Sequence, residues 1–206
     1  MQINSRREYN LDSLDFEDLP DSPIEAVEYW LAAANKQPDY NAFHLSTSNG
    51  DGRVSGRMVL LKGIEQGRLM FFTDYDSLKG QQINKNHRVA ATFFWPALER
   101  QIRIEGTATR LSAGQSDAYF DSRPPESRAA AIASLQSQKA ESRADLEQRY
   151  ETMLKGNEQL ERPARWGGYG IEPFYVEFWQ GRPSRLNDRI VFEKSEGKWI
   201  RYRLEP

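Results

Sequence analysis

The chain has 206 residues, with 28 Lys and Arg against 30 Asp and Glu, and contains no cysteine. A formal net charge of -2 supplies no global basic field for nucleic acid, and the missing cysteine excludes disulfides, thiolate catalysis and cysteine-based zinc or iron–sulfur sites. The two histidines, His44 and His87, leave little material for a His-rich metal site or a Ser-His-Asp triad.

Residues 1–20 are polar and acidic without a clear period, and read as an N-terminal arm. Their start has no signal-peptide core, and no apolar run in the chain approaches the ~20 residues of a membrane span. A cytoplasmic protein without a membrane partner is therefore expected. Asp21-Ser22-Pro23 is a helix start, a capping side chain followed by proline in the first turn. Ile24, Val27, Trp30 and Leu31 follow at helical spacing, and the helix ends near residues 35–38. From residue 42 the signal becomes that of strands. Residues 42–48 and 53–62 flank the turn Asn49-Gly50-Asp51-Gly52. Residues 63–67 turn again before a strand over 68–73. Asp76-Ser77 caps a short helix through Asn86, and residues 89–95 and 101–111 form two more strands about a Pro96 turn. Consecutive strands this close together predict an antiparallel meander.

Ser112 and Gln115 form a capping box before the next helix, which Pro124-Pro125 breaks ahead of an alanine-rich stretch. A charged helix is expected over 142–154. Three closing strands are predicted over 169–179, 186–194 and 198–204, the last hairpin turning at Ser195-Glu196-Gly197. The fold class is thus mainly β with peripheral helices, and residues 21–206 form one domain.

Four segments carry unusual polarity for half-buried strands. Arg57 and Lys62 bracket an apolar run, and on a regular strand their spacing sets them on opposite faces. Residues 73–79 run from a strand end into a Ser77-capped helix start beside Lys79, which suits a phosphate. Gln101, Arg103 and Glu105 alternate onto one face. Glu177-Phe178-Trp179-Gln180-Gly181, followed by Arg185-Leu186-Asn187-Asp188-Arg189, joins an aromatic to several guanidiniums, which suits a flat phosphorylated ligand. Taken singly, each segment also reads as an ordinary strand end, helix cap or salt-bridged turn.

In this order the segments resemble the pyridoxamine/pyridoxine 5′-phosphate oxidases. The resemblance runs from Arg6-Arg7-Glu8-Tyr9 to the C-terminus. It is carried by residues 57–62, Glu99-Arg100-Gln101, Tyr119-Phe120, Ser122-Arg123-Pro124, Gln136-Ser137, Trp166-Gly167-Gly168 and residues 177–189. It implies an antiparallel FMN-binding split barrel, a homodimer with FMN at the interface, and O2 as oxidant. FMN contacts would fall to Arg57, Met58, Val59, Leu60, Phe72, Thr73, Lys79, Gln101, Gln136, Ser137, Trp179 and Arg189. A small phosphorylated pyridine substrate would meet Lys62, Tyr119, Arg123 and Ser127 through its phosphate. Arg185 and Asn187 would act at its ring, and Arg6 and Tyr9 would close over it from the arm. The implied chemistry belongs to the flavin and needs no protein nucleophile.

Three positions depart from the family pattern. Asn187 stands where the family has histidine, Leu78 where it has arginine, and Phe72 where an aromatic hydroxyl is usual. Two other readings therefore stand beside the first: a related FMN oxidase acting on another cyclic metabolite, of the phenazine type, and a non-catalytic binder of FMN or a vitamin phosphate.

Overall fold

The computed structural model describes residues 8–156 and 160–206. The first helix, α1 (Pro23–Ala34), starts where the Ser22 hydroxyl accepts the Glu25 amide. Its apolar stripe of Ala26, Val27, Trp30, Leu31 and Ala34 is buried, and Trp30 meets Phe178 edge-on at 5.1 Å. Strands β1 (Ala42–Ser48), β2 (Val54–Leu60), β3 (Gly63–Glu65) and β4 (Arg68–Asp74) follow. Residues 63–67 are therefore not only a turn: Gly63–Glu65 pairs with β4 through Ile64 opposite Leu69. Helix α2 (Leu78–Lys85) leads to β5 (Arg88–Trp95) and β6 (Arg100–Arg110). Helices α3 (Ala113–Asp121), α4 (Pro125–Ala133) and α5 (Arg143–Lys155) come next, α4 being the alanine-rich stretch. Strands β7 (Trp166–Gln180), β8 (Asp188–Ser195) and β9 (Lys198–Arg203) close the chain.

Among the described residues the strands form one antiparallel sheet in the order β2-β1-β5-β6-β7-β4-β3, with β8 and β9 continuing from β7. The sheet curls around a core that includes Phe43, Phe71, Phe93, Ile102, Tyr169 and Phe178, all essentially without exposure. Leu14 and Leu19 of the N-terminal segment are buried in the same core.

β7 is the organising strand. Its first half, through Ile171, pairs with β4, and its second half, from Tyr175, pairs with β8. The change falls at Pro173, which has no amide to donate, and the ladder with β6 shifts register there, between Glu105 and Gly106. A Cβ on Gly106 would lie 2.6 Å from the Glu172 carbonyl oxygen, so the bulge needs glycine. One strand thus carries two neighbourhoods, joined to different partners. The strand expected from residue 186 begins instead at Asp188, because Ser184 and Arg185 adopt left-handed φ of 57° and 63° and hold the chain in a loop.

The start of α2 is equally constrained. The buried Ser77 hydroxyl donates to Asp74 O at 2.6 Å and accepts the Gly80 amide. A Cβ on Gly80 would stand 2.2 Å from Tyr75 O, a backbone atom. Alanine normally favours a helix interior over glycine by ~1 kcal/mol. Here Gly80→Ala should destabilise by about 2 kcal/mol through overpacking, read as a lower urea midpoint with unchanged slope.

Candidate active site

A cleft of about 480 Å³ opens between β2, β4 and the α3–α4 region. Its walls hold twelve of the residues named above: Arg57, Met58, Val59, Leu60, Lys62, Phe72, Thr73, Lys79, Tyr119, Arg123, Ser127 and Gln136, together with Pro124 and Trp166. β2 is the outer strand of the sheet path. Four consecutive residues of β2, Arg57 to Leu60, line it.

Arg57 and Lys62 were expected on opposite faces of one strand, yet both line this cleft. The strand does not continue: β2 ends at Leu60, the Leu61 amide donates to Asn41 O, and the Lys62 amide donates to Met70 O on β4. The chain changes partner between these residues, and strand parity no longer applies.

The cations are held differently. The Arg57 guanidinium donates to Leu45 O at 3.1 Å, to Thr47 Oγ1 at 2.6 Å and to Ser55 O at 3.0 Å, and the Thr47 hydroxyl donates to Gln82 Oε1 at 2.6 Å. Lys79 Nζ donates to Thr73 Oγ1 at 3.0 Å and to Gln136 Oε1 at 2.5 Å. Burial, with the Arg57 charge adding to it, lowers the Lys79 amine from 10.5 to about 8, against the pull of Asp74. Burial also lowers the Arg123 and Arg57 guanidiniums from their ordinary value. One nitrogen of Arg123, Nη1, is shut from solvent without a hydrogen-bond partner. Among the described residues, four cations line the cleft, Arg57, Lys62, Lys79 and Arg123, and no carboxylate does. Concentrating positive charge in a partly desolvated place is unfavourable unless an anion arrives. The donor set of this cleft, four cations with the hydroxyls of Thr73, Tyr119 and Ser127, has the chemistry that a phosphate group requires.

The aromatic wall is layered. Phe72 stacks on Tyr119 at 3.8 Å, and both lie nearly parallel to Trp166. The hydroxyl missing at Phe72 leaves a ring that packs without asking for a polar partner.

Gln101, Trp179 and Arg189 are not in this cleft. They stand side by side across β6, β7 and β8, with Trp179 opposite both others in register. Tyr9 packs edge-on against Trp179 at 5.5 Å and lies over Gly181, where a Cβ would meet its ring at 2.5 Å. The segment is fastened there by Glu99, whose carboxylate accepts the Asn10 and Leu11 amides. Arg189 is fixed by Glu177, a carboxylate 1% exposed that also takes Arg103 at 2.7 Å. Burial pushes Glu177 upward, but the Arg189 hydrogen bond and the Arg103 charge outweigh it and hold it ionised, below the usual carboxylate value. Asn187 Oδ1 accepts the Arg182 amide at 3.0 Å and so closes the loop that exposes Arg185. Ser137 adopts a left-handed φ of 69° beside Gln136, and Arg6 lies outside the described residues.

One residue from each group lies on β7: Trp166 begins the strand and Trp179 comes one residue before its end.

The residues that sequence reasoning missed are Trp166 as a cleft wall, Gln82 with Thr47 behind Arg57, and Glu177 behind Arg189. Parity alone places Glu177 on the face of Trp179, two residues away.

Fold and site define a curled antiparallel sheet with a cation-lined cleft beside the end strand β2. The family model for pyridoxamine 5′-phosphate oxidase matches residues 32–155, and that for the pyridoxine 5′-phosphate oxidase C-terminal dimerisation region matches residues 166–206. The chain belongs to the pyridoxamine 5′-phosphate oxidase family. A pyridoxine/pyridoxamine 5′-phosphate oxidase from Chromobacterium violaceum is 48% identical over 98% of this chain and 96% of its own. One from Leptospira biflexa is 47% identical over 89% of each. Among solved structures, PhzG from Burkholderia lata, in complex with tetrahydrophenazine-1-carboxylic acid, has 29% identity and a TM-score of 0.91, covering 96% of this chain and 100% of that one. A pyridoxamine 5′-phosphate oxidase-related, FMN-binding protein from Nostoc punctiforme shares the fold, with a TM-score of 0.72 at 17% identity over 90% of this chain and 98% of its own. The expected split barrel is the fold observed.

Proposed function

We propose that this protein oxidises pyridoxine 5′-phosphate and pyridoxamine 5′-phosphate to pyridoxal 5′-phosphate, using FMN and reducing O2 to H2O2. The alcohol loses two electrons and two protons to O2. The amine does the same and takes up water to release ammonia. The observation that carries the reading is a cleft lined, among the described residues, by four cations and no carboxylate, in a chain of this family.

FMN, when bound, supplies the hydride acceptor and the reaction with O2. Arg57, Thr73, Lys79, Gln136 and Ser137 are proposed to hold it on one chain, and Gln101, Trp179 and Arg189 on a second. The absence of Gln101, Trp179 and Arg189 from the cleft lining, with the match of residues 166–206 to a dimerisation region, supports a homodimer in which each FMN lies at the interface. A phosphomonoester carries close to two charges at pH 7, which Lys62 and Arg123 neutralise while Tyr119 and Ser127 orient it. Arg185 is proposed to lie over the substrate ring. Asn187 holds its loop, and Tyr9 is proposed to cover the site.

The phenazine-type alternative is weaker. PhzG matches in fold but at 29% identity, against 48% for the Chromobacterium oxidase. Lys62 and Arg123 also make best sense for a substrate with a phosphate. The assembly is tested by sedimentation with flavin analysis: a dimer carrying two FMN per two chains is expected. A monomer holding FMN stoichiometrically would contradict the shared site.

A further inference from the structure

Trp166-Gly167-Gly168 is a motif that the reading above leaves without a role. The indole lies in the cleft wall, and Arg123 Cζ stands 4.9 Å over its ring and 6.0 Å from that of Phe120. Phe120 meets Trp166 edge-on at 5.2 Å, so the guanidinium sits in an aromatic corner. Several arginines of the chain are neutralised across elements: Arg103 and Arg189 by Glu177, Arg162 by Asp117, Arg165 by Asp74. Arg123 instead keeps Nη1 shut from solvent with no oxygen acceptor. An electron-rich ring face attracts a cation without cancelling its charge.

We propose that Trp166 is a positioning residue for Arg123: its indole face holds the guanidinium in the cleft in place of a carboxylate, leaving the positive charge for the substrate phosphate. This rests on the reading that Arg123 takes that phosphate.

The surroundings of Trp166 are consistent with a fixed platform. Its carbonyl accepts Arg162 Nη1 at 2.6 Å, and its amide donates to Pro163 O at 2.9 Å. Phe72 lies nearly parallel to it at 5.8 Å. The two glycines let neighbours close onto the strand. A Cβ at Gly167 would lie 2.2 Å from the Tyr75 hydroxyl, and one at Gly168 would lie 2.5 Å from Leu111 and 2.8 Å from Phe72. Desolvation of the Arg123 guanidinium agrees with a cation kept in a dry corner.

The test is steady-state kinetics of the FMN-loaded enzyme. Trp166→Leu should raise the KM for pyridoxine 5′-phosphate about tenfold, with a much smaller change in kcat, and Trp166→Phe should recover most of the loss. In an Arg123→Ala background, Trp166→Leu should add less than about twofold, because the partner it positions is gone. Fully multiplicative effects would overturn the proposal, and so would Phe performing as badly as Leu. If Trp166→Leu does not fold, mono- and difluorinated tryptophan placed at position 166 alone keep the shape and drain the ring. KM should then rise stepwise with fluorination, and a flat series overturns the proposal. If Arg123→Ala raises KM and Trp166→Leu does not, the platform role falls and the phosphate reading stands. If Arg123→Ala leaves KM unchanged, both fall.

Discussion

Replacing Arg123 with alanine should raise the KM for pyridoxine 5′-phosphate by roughly 100- to 1,000-fold, the equivalent of about 3–4 kcal/mol for a charge-assisted contact to a desolvated phosphate. FMN content should stay close to that of the parent, because the residues proposed to hold the flavin phosphate, Lys79 and Arg57, belong to separate networks. Lys79 is tied to Thr73 and Gln136, and Arg57 to Leu45, Thr47 and Ser55. Among the described residues Arg123 shares no hydrogen bond with either, and it rests on aromatic rings. The loss should be specific to phosphorylated substrates. Michaelis constants measured together with flavin absorbance on the same preparation check this. Parallel loss of flavin would assign Arg123 to the cofactor instead.

Lys79→Met should act in opposite directions on stability and on function. The amine is buried, and its value of about 8, against 10.5 for an ordinary lysine, records an unfavourable charge in the flavin-free protein. Between these values the unfolded chain binds more protons than the folded one, so the contribution of this group makes stability rise as pH increases from about 8 toward 10.5. Below 8 both states are protonated, and the penalty is fully present. Removing the charge should therefore raise the Tm of the flavin-free protein at pH 7 by about 2–4 °C. The same change should weaken FMN binding by roughly 30- to 100-fold, since one charge-assisted contact to phosphate is lost. A phosphomonoester is already a dianion above pH 7. In the parent, FMN affinity should thus fall from pH 7 to 9.5 as Lys79 deprotonates, and this slope should vanish in the variant. Titrations at several pH values, with thermal melts of the flavin-free forms, measure both effects. An unchanged slope in Lys79→Met would remove Lys79 from the flavin site.

The positions of most strands along the chain were legible because period-two alternation and strong turns recur at short intervals, but their order was not: β5 pairs with β1 and β4 with β7, where a sequential meander was expected. Asn49 to Gly52 turns β1 into β2, and Gly197 turns β8 into β9 at a φ of 81°. The length of the loop before β8 was not legible: Gly181 and Pro183 open it, but Ser184 and Arg185 prolong it with left-handed backbone that their residue types do not announce. The cleft side chains near the third and fourth strands could be named by resemblance, but their shared face could not be read from parity. The chain leaves β1 for β4 between Leu61 and Lys62, a change of partner set by tertiary pairing. Nor does the sequence tell that Gln101, Trp179 and Arg189 lie apart from Arg57 and Lys79. That separation follows from one long strand handing its edge from β4 to β8 at Pro173.

The most direct test of the account is oxygen consumption by the purified, FMN-loaded protein with pyridoxine 5′-phosphate, pyridoxamine 5′-phosphate and unphosphorylated pyridoxine. The account predicts that each phosphorylated substrate yields one pyridoxal 5′-phosphate and one H2O2 per O2 consumed, and that pyridoxine is a far poorer substrate. Stoichiometric FMN binding without turnover of either phosphorylated compound, or equal turnover of pyridoxine, would contradict it.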